Sequence, residues 1–125
     1  MFLNCIFVAV SGHLAIGSDL FTGTLDLLIL RTLRDDAQHG YAIGRALREA
    51  SEGVLDVAEG VLYPALHRLE ERGFLSAKWG LSETGRRAKY YSLTPEGESR
   101  LKADRDDWDA FVTAVGSVLD PGTAQ

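Results

Sequence analysis

The stretch Glu59-Gly-Val-Leu-Tyr-Pro-Ala-Leu-His-Arg-Leu-Glu-Glu-Arg-Gly73 (EGVLYPALHRLEERG) combines helical spacing of apolar residues with a proline in its first half. Leu62, Leu66 and Leu69 fall at i, i+4 and i+7, one stripe of an α-helix, and Gly73 stands where such a helix stops. Pro64 has no N–H for the carbonyl of Gly60, and its ring crowds that carbonyl, a cost of about 3 kcal/mol in a helix interior. The cost shrinks if the helix begins at Ala58 or Glu59, because the affected carbonyl then belongs to the first turn and Gly60 can bend to relieve the clash. A helix beginning at Pro64 itself would drop Tyr63 from its surface. Gly60, Tyr63, His67 and Arg68 sit away from the leucines. Each has a plain reading as well as a functional one: Tyr63 as a core aromatic, His67 as a surface residue, Arg68 as a salt bridge to Glu70 or Glu71.

Downstream, FLSAKWG alternates Leu75, Ala77 and Trp79 with Ser76, Lys78 and Gly80, which predicts a strand with the first set inward. LSETGRR supplies a turn and AKYYSL a return strand with Tyr91 and Leu93 inward, giving a β-hairpin. Its arm is basic: Arg86, Arg87 and Lys89 lie at or just after the turn, where they can reach phosphates or a minor groove. Thr94-Pro-Glu-Gly97 then opens a last helix, with Thr94 as N-cap, Pro95 in the first helical position and Glu96 and Glu98 near the positive end of the dipole. Leu101, Trp108 and Val115 recur every seven residues, and Phe111, Val112, Val118 and Leu119 widen that stripe as far as Asp120-Pro121.

Upstream, the helical pattern begins at Thr24, with Leu25, Leu28, Ile29 and Leu33 on one stripe and Leu27 and Leu30 outside it. A helix apolar on more than one side is either central or shared with a partner chain. Residues 40–51 form a second helix with Ile43, Leu47 and Ala50 inward and Arg45, Arg48 and Glu49 outward; VLDV, after Gly53, is a candidate minimal strand. The apolar N-terminus MFLNCIFVAVSGHLAIG has no Lys or Arg before Arg31, so it lacks a signal peptide's basic region, and it falls short of the about 20 residues that span a bilayer. It reads first as a disordered or upstream-start extension, next as a helix or strand packing on a subunit neighbour, and last as an export segment, with no membrane partner. Cys5, the single cysteine, cannot form an internal disulfide, which points to the cytoplasm.

With 46% hydrophobic and 25% charged residues in 125, the composition fits one globular domain. The net charge of −5 argues against a polyanionic partner until its distribution is read. Lys and Arg against Asp and Glu number 4 to 8 in residues 1–66, 6 to 3 in 67–93 and 3 to 7 in 94–125. Screening confines distant charge to about 10 Å, so the central basic block can act alone. There is no phosphate loop, and His13, His39 and His67 are too scattered for a metal site. Asp104, Asp106, Asp107 and Asp109 read as a solvated helix face. No catalytic activity, cofactor or metal is expected.

The element order is mainly α with a small β-hairpin: helix, helix, short strand, helix, hairpin, helix. That is a winged helix-turn-helix followed by a C-terminal helix, in which one helix enters the major groove and the hairpin flanks it. GTLDLLILRTL, HGYAIGRAL, VLYPALHRLEERGFL and GRRAKYYSLTPEG, spaced as they are from Gly23 to Gly97, resemble the PadR family of bacterial transcriptional regulators, in its short subgroup. The resemblance divides the chain into an apolar extension (1–22), a winged DNA-binding domain (23–94), a dimerisation helix (95–120) and a tail (121–125). It implies a homodimer that represses neighbouring genes from a palindromic operator in double-stranded DNA. Tyr63 and its neighbours Gly60, Pro64, His67 and Arg68 would approach the DNA, Arg86, Arg87 and Lys89 would make the wing contacts, and the HGY start of the second helix, His39 to Tyr41, would lie near the phosphate backbone. Leu27, Leu30, Leu101, Trp108, Phe111, Val112, Val115 and Leu119 would form the dimer interface. Members of the family often respond to a small aromatic or phenolic effector; Trp108 is placed for one, or for the dimer core. A winged-helix protein-interaction module without DNA binding is the alternative, and its wing would be acidic or apolar.

Overall fold

The computed structural model describes residues 14–15 and 19–122. In chain order these form β1 (Leu14–Ala15), α1 (Asp19–Leu33), β2 (Gln38–His39), α2 (Gly40–Ala50), β3 (Leu55–Asp56), α3 (Glu59–Glu71), β4 (Leu75–Leu81), β5 (Arg87–Leu93) and α4 (Pro95–Leu119). β2, β5 and β4 make a three-stranded antiparallel sheet in that spatial order, and β1 pairs with β3 in parallel. Cys5 and most of the apolar N-terminal stretch lie outside the described residues.

The core forms where the apolar stripes converge. α1 contributes Leu25, Ile29, Leu30 and Leu33, α2 Ile43 and Leu47, α3 Leu62, Ala65, Leu66 and Leu69, and the hairpin Leu75 and Tyr91. α1 therefore carries apolar residues on more than one side because it is central. Leu30 is wholly enclosed by its own chain, and Leu27 and Leu101 are buried with it, so these three do not offer the partner-facing surface expected of them. The helix also begins earlier than Thr24, at Asp19, taking in residues assigned to the extension. Gly23, a poor helix former at about 1 kcal/mol relative to Ala, is carried inside it rather than ending it. Ala50, expected inward, is exposed in the last turn of α2.

Helix ends are settled locally. The His39 ring caps α2, its Nδ1 accepting from the Ala42 N–H at 3.2 Å. α3 ends in a Schellman motif: the Phe74 N–H bonds to the Leu69 carbonyl at 3.0 Å and the Gly73 N–H to Glu70 at 3.0 Å, with Gly73 at φ 85°. Thr94 caps α4, accepting from the Gly97 N–H at 2.9 Å while its hydroxyl donates to the Gly73 carbonyl at 2.7 Å. Its own N–H reaches the Phe74 carbonyl at 3.1 Å. Gly97 is tied to that junction, since a Cβ there would run into the Phe74 carbonyl and the Leu93 side chain.

α3 runs continuously through Pro64. Pro64 and Gly60 are both exposed, so the carbonyl that Pro64 leaves without a donor is on the solvent side, where water can serve it.

Candidate nucleic-acid interface

One face of the hairpin changes role along its length. Cross-strand partners share a face, so the register puts Leu75 with Leu93, Ala77 with Tyr91, Trp79 with Lys89 and Leu81 with Arg87 on the same side. Near the body that side is core, with Leu75 and Tyr91 buried. Beyond Ala77 the hairpin projects past the helices, and the same side becomes the wall of an open cleft. Trp79, expected inward, is accordingly 56% exposed and lines that cleft.

The cleft, about 780 Å³, brings together the start of α2, the exposed side of α3 and the wing. α2 supplies Gly40, Tyr41 and Arg45, α3 supplies Tyr63 and His67, and the wing supplies Trp79, Glu83, Arg86, Arg87 and Lys89. The hydroxyl end of the Tyr63 ring packs against the α2 start: a Cβ on Gly40 would be 2.5 Å from its Cε1, so the glycine makes room for the ring. Burial first, then the charge of Glu59, pushes the Tyr63 hydroxyl above its ordinary pKa.

Aromatic rings support two of the cleft's arginines. The Arg87 guanidinium sits 4.5 Å from the Trp79 ring centroid, and that of Arg45 sits 5.6 Å from Tyr41. Lys89 bonds to Glu70 at 3.1 Å, tying the wing to α3, and this bond is the first cause of its raised pKa. Glu83, in the wing turn, faces His39 at 3.3 Å and Arg45 at 3.9 Å. Its carboxyl is held below the ordinary glutamate value, first by its own backbone amide and then by the His39 ring.

Of the residues expected at DNA, the cleft thus unites Tyr41, Tyr63, His67, Arg86, Arg87 and Lys89. Gly60 and Pro64 are exposed on α3 outside its lining. Arg68 is a correction: its guanidinium is turned to α1, donating to the Asp26 carboxylate at 2.6 Å, rather than to the cleft or to Glu70 or Glu71. Burial of Asp26 raises its pKa, and the charge pair with Arg68 only partly offsets this. His39, in the HGY start expected near the phosphate backbone, lies beside Tyr41 in the same lining, whereas Arg45, Trp79 and Glu83 were missed from sequence. The alternation of β4 had pointed at Trp79 and misjudged only what lies beneath it; nothing local marks the meeting of Arg45 with Glu83.

Trp108, half-buried, stands beside a groove of about 440 Å³ between α1 and α4, lined also by Leu27, Leu28 and Leu101. Farther along α4, Phe111 and Val115 are half-buried, while Val112 and Leu119 are exposed. The acidic side of α4 is a set of i, i+4 pairs, Arg100 with Asp104 and Arg105 with Asp109. No described helix is long and apolar enough to cross a membrane.

Helix-turn-helix, wing and basic cleft together define a winged-helix DNA-binding regulator. The model of the transcriptional regulator PadR-like family matches residues 29–103, and the chain belongs to that family. It is similar to a transcriptional regulator from Clostridium thermocellum, with a TM-score of 0.71 at 30% identity, covering 86% of this chain and 100% of that one. A PadR-like transcription factor from Bacteroides fragilis aligns with a TM-score of 0.65 at 35% identity, over 78% of this chain and 91% of that one. The transcriptional regulator Rv3488 of Mycobacterium tuberculosis is 37% identical over 79 residues, 63% of this chain and 70% of its own length.

Proposed function

We propose that this regulator is a cytoplasmic homodimeric repressor that binds a palindromic operator near its target genes and is released by a small aromatic effector. The observation that carries the DNA-binding part is the cleft, in which α3's Tyr63 and His67 share one surface with Arg86 and Arg87 of the wing. α3 is the helix for the major groove, where Tyr63 and His67 meet base edges, and the wing arginines hold phosphates. Tyr41, at the start of α2, lies along the backbone, and Lys89 serves the wing both through Glu70 and through the cleft.

Dimerisation is supported by the far half of α4, where Val112, Val118 and Leu119 stay exposed. With Trp108, Phe111 and Val115 they form the surface for a partner's helices. A twofold dimer matches a palindromic site, with half-sites about 34 Å apart for each turn of DNA between them. The Trp108 groove is the seat for a flat effector at that interface. The basic wing favours this reading over a protein-interaction module.

Replacing both Arg86 and Arg87 with Ala is expected to weaken binding to all duplexes alike and to flatten the log–log salt dependence by about 0.9 per lost phosphate contact. Tyr63→Ala is expected to reduce discrimination between operator and unrelated DNA with little change in slope. Fluorescence anisotropy across a salt series reads both. If neither variant alters binding, the cleft is not the DNA surface.

A further inference from the structure

We propose that the wing-turn carboxylate of Glu83 is a resident competitor for a DNA phosphate, held between His39 and Arg45 until the duplex displaces it. The proposal rests on the reading of the cleft as the DNA surface and adds a regulatory element to it.

The seat pairs a donor with a cation. His39 spends Nδ1 as the cap acceptor for Ala42, which leaves its other nitrogen, Nε2, as the donor facing Glu83 Oε1 at 3.3 Å. Arg45 approaches the second oxygen, Oε2, at 3.9 Å, with its guanidinium set over the Tyr41 ring. One carboxylate oxygen therefore faces a ring donor and the other a cation at ion-pair distance, an arrangement that two oxygens of a phosphate reproduce. α2, an 11-residue helix, has no acidic residue in its first turn, and Glu83 brings a carboxylate to its positive end from across the cleft, as Glu59 of α3 does from the other side.

The turn aims the carboxylate. The Ser82 N–H bonds to the Arg86 carbonyl at 2.8 Å, the Gly85 N–H to the Ser82 carbonyl at 2.9 Å, and the Ser82 and Thr84 hydroxyls lie 3.0 Å apart. Gly85, at φ 81°, closes the turn in a conformation that favours glycine. Yet the Glu83 side chain is 70% exposed, so water and salt weaken its hold and a phosphate can exchange with it. Glu83 thus lowers affinity for every duplex equally while keeping the wing turn close to α2 in the free protein.

The test is anisotropy with the full chain, a duplex from its own upstream region and an unrelated duplex, comparing wild type, Glu83→Gln, Arg45→Ala and the double variant. Glu83→Gln is expected to tighten binding to both duplexes and to steepen the salt slope by about 0.9, so that its gain at 50 mM salt is about threefold larger than at 200 mM. In the Arg45→Ala background that gain should largely vanish, because the freed cation is missing. An equal gain in both backgrounds means general charge removal and overturns the competitor. Weaker binding by Glu83→Gln makes Glu83 a structural pin of the wing and overturns it too. Unchanged slope with DNA binding intact overturns it alone, whereas no DNA binding by any variant or by wild type removes the DNA reading and the competitor together.

Discussion

In α3 the leucines at 62, 66 and 69 are all buried, whereas in the second half of α4 Val112, Val118 and Leu119 remain 46%, 77% and 71% exposed. Both helices carry an apolar stripe. α3 lies among α1, α2 and the hairpin, so its stripe meets its own chain along its length. α4 meets α1 and β5 through its first half, burying Leu101 and half-burying Trp108, and then runs on. What holds its start is local: the Thr94 cap, Pro95 in the first turn, Glu96 and Glu98 at the dipole's positive end, and i, i+4 pairs worth about 0.2–0.5 kcal/mol each. Periodicity states that one side of a helix wants cover; it does not state who provides it.

The most direct way to break the contrast is to cut both stripes. Leu66→Ala, at a wholly buried position, is expected to cost about 2–5 kcal/mol of unfolding free energy through lost burial and a cavity. Val118→Ala in α4, measured by urea unfolding at low protein concentration, is expected to stay within about 0.5 kcal/mol of wild type. Similar losses at both sites would mean that the end of α4 is already packed in the single chain.

Next in size is a contrast within α4 itself. Gly97→Ala pushes a methyl into the Phe74 carbonyl and the Leu93 side chain at the junction of α3, wing and α4, and is expected to cost about 1–3 kcal/mol in the same urea experiment. Because the junction also sets the hairpin's root, a loss of DNA affinity beyond the loss of folded protein should accompany it. An unchanged midpoint would show that the junction yields easily.

The junction was also the most legible part of the molecule. Thr94-Pro95-Glu96-Gly97 and the glycine stop at Gly73 act within a few residues, through one hydroxyl, one missing N–H and one positive φ, so the sequence carries their geometry directly. The DNA-facing residues were legible in type, since Tyr63, His67, Arg86 and Arg87 do meet in one cleft. What could not be read were pairings across distance. Arg68 finds Asp26 on α1, 42 positions away, and His39 finds Glu83, 44 positions away, although each had nearer polar neighbours in sequence. Leu30 showed the same limit in apolar form: an extra leucine beside a stripe fits a central helix as well as a shared one, and only the packing of α2, α3 and α4 around α1 decides between them.

The smallest effect sharpens the comparison most. Gly116 lies in the exposed half of α4, with nothing within 4 Å of the position a Cβ would take. In a helix interior glycine costs about 0.5–1 kcal/mol relative to alanine, mostly because the unfolded chain loses more freedom on ordering. Gly116→Ala is therefore expected to raise stability by about that amount when the chain is dilute, opposite in sign to Gly97→Ala on the same helix. Repeating the unfolding at high concentration separates two ways in which a partner could cover the stripe. If the partner's helix crosses beside Val112 and Val115, the gain persists as the dimer forms; if it crosses at Gly116, the methyl sits in the contact and the gain shrinks or reverses with concentration. A loss of stability at every concentration would place a neighbour from the same chain over Gly116 and end the contrast between the two halves of α4.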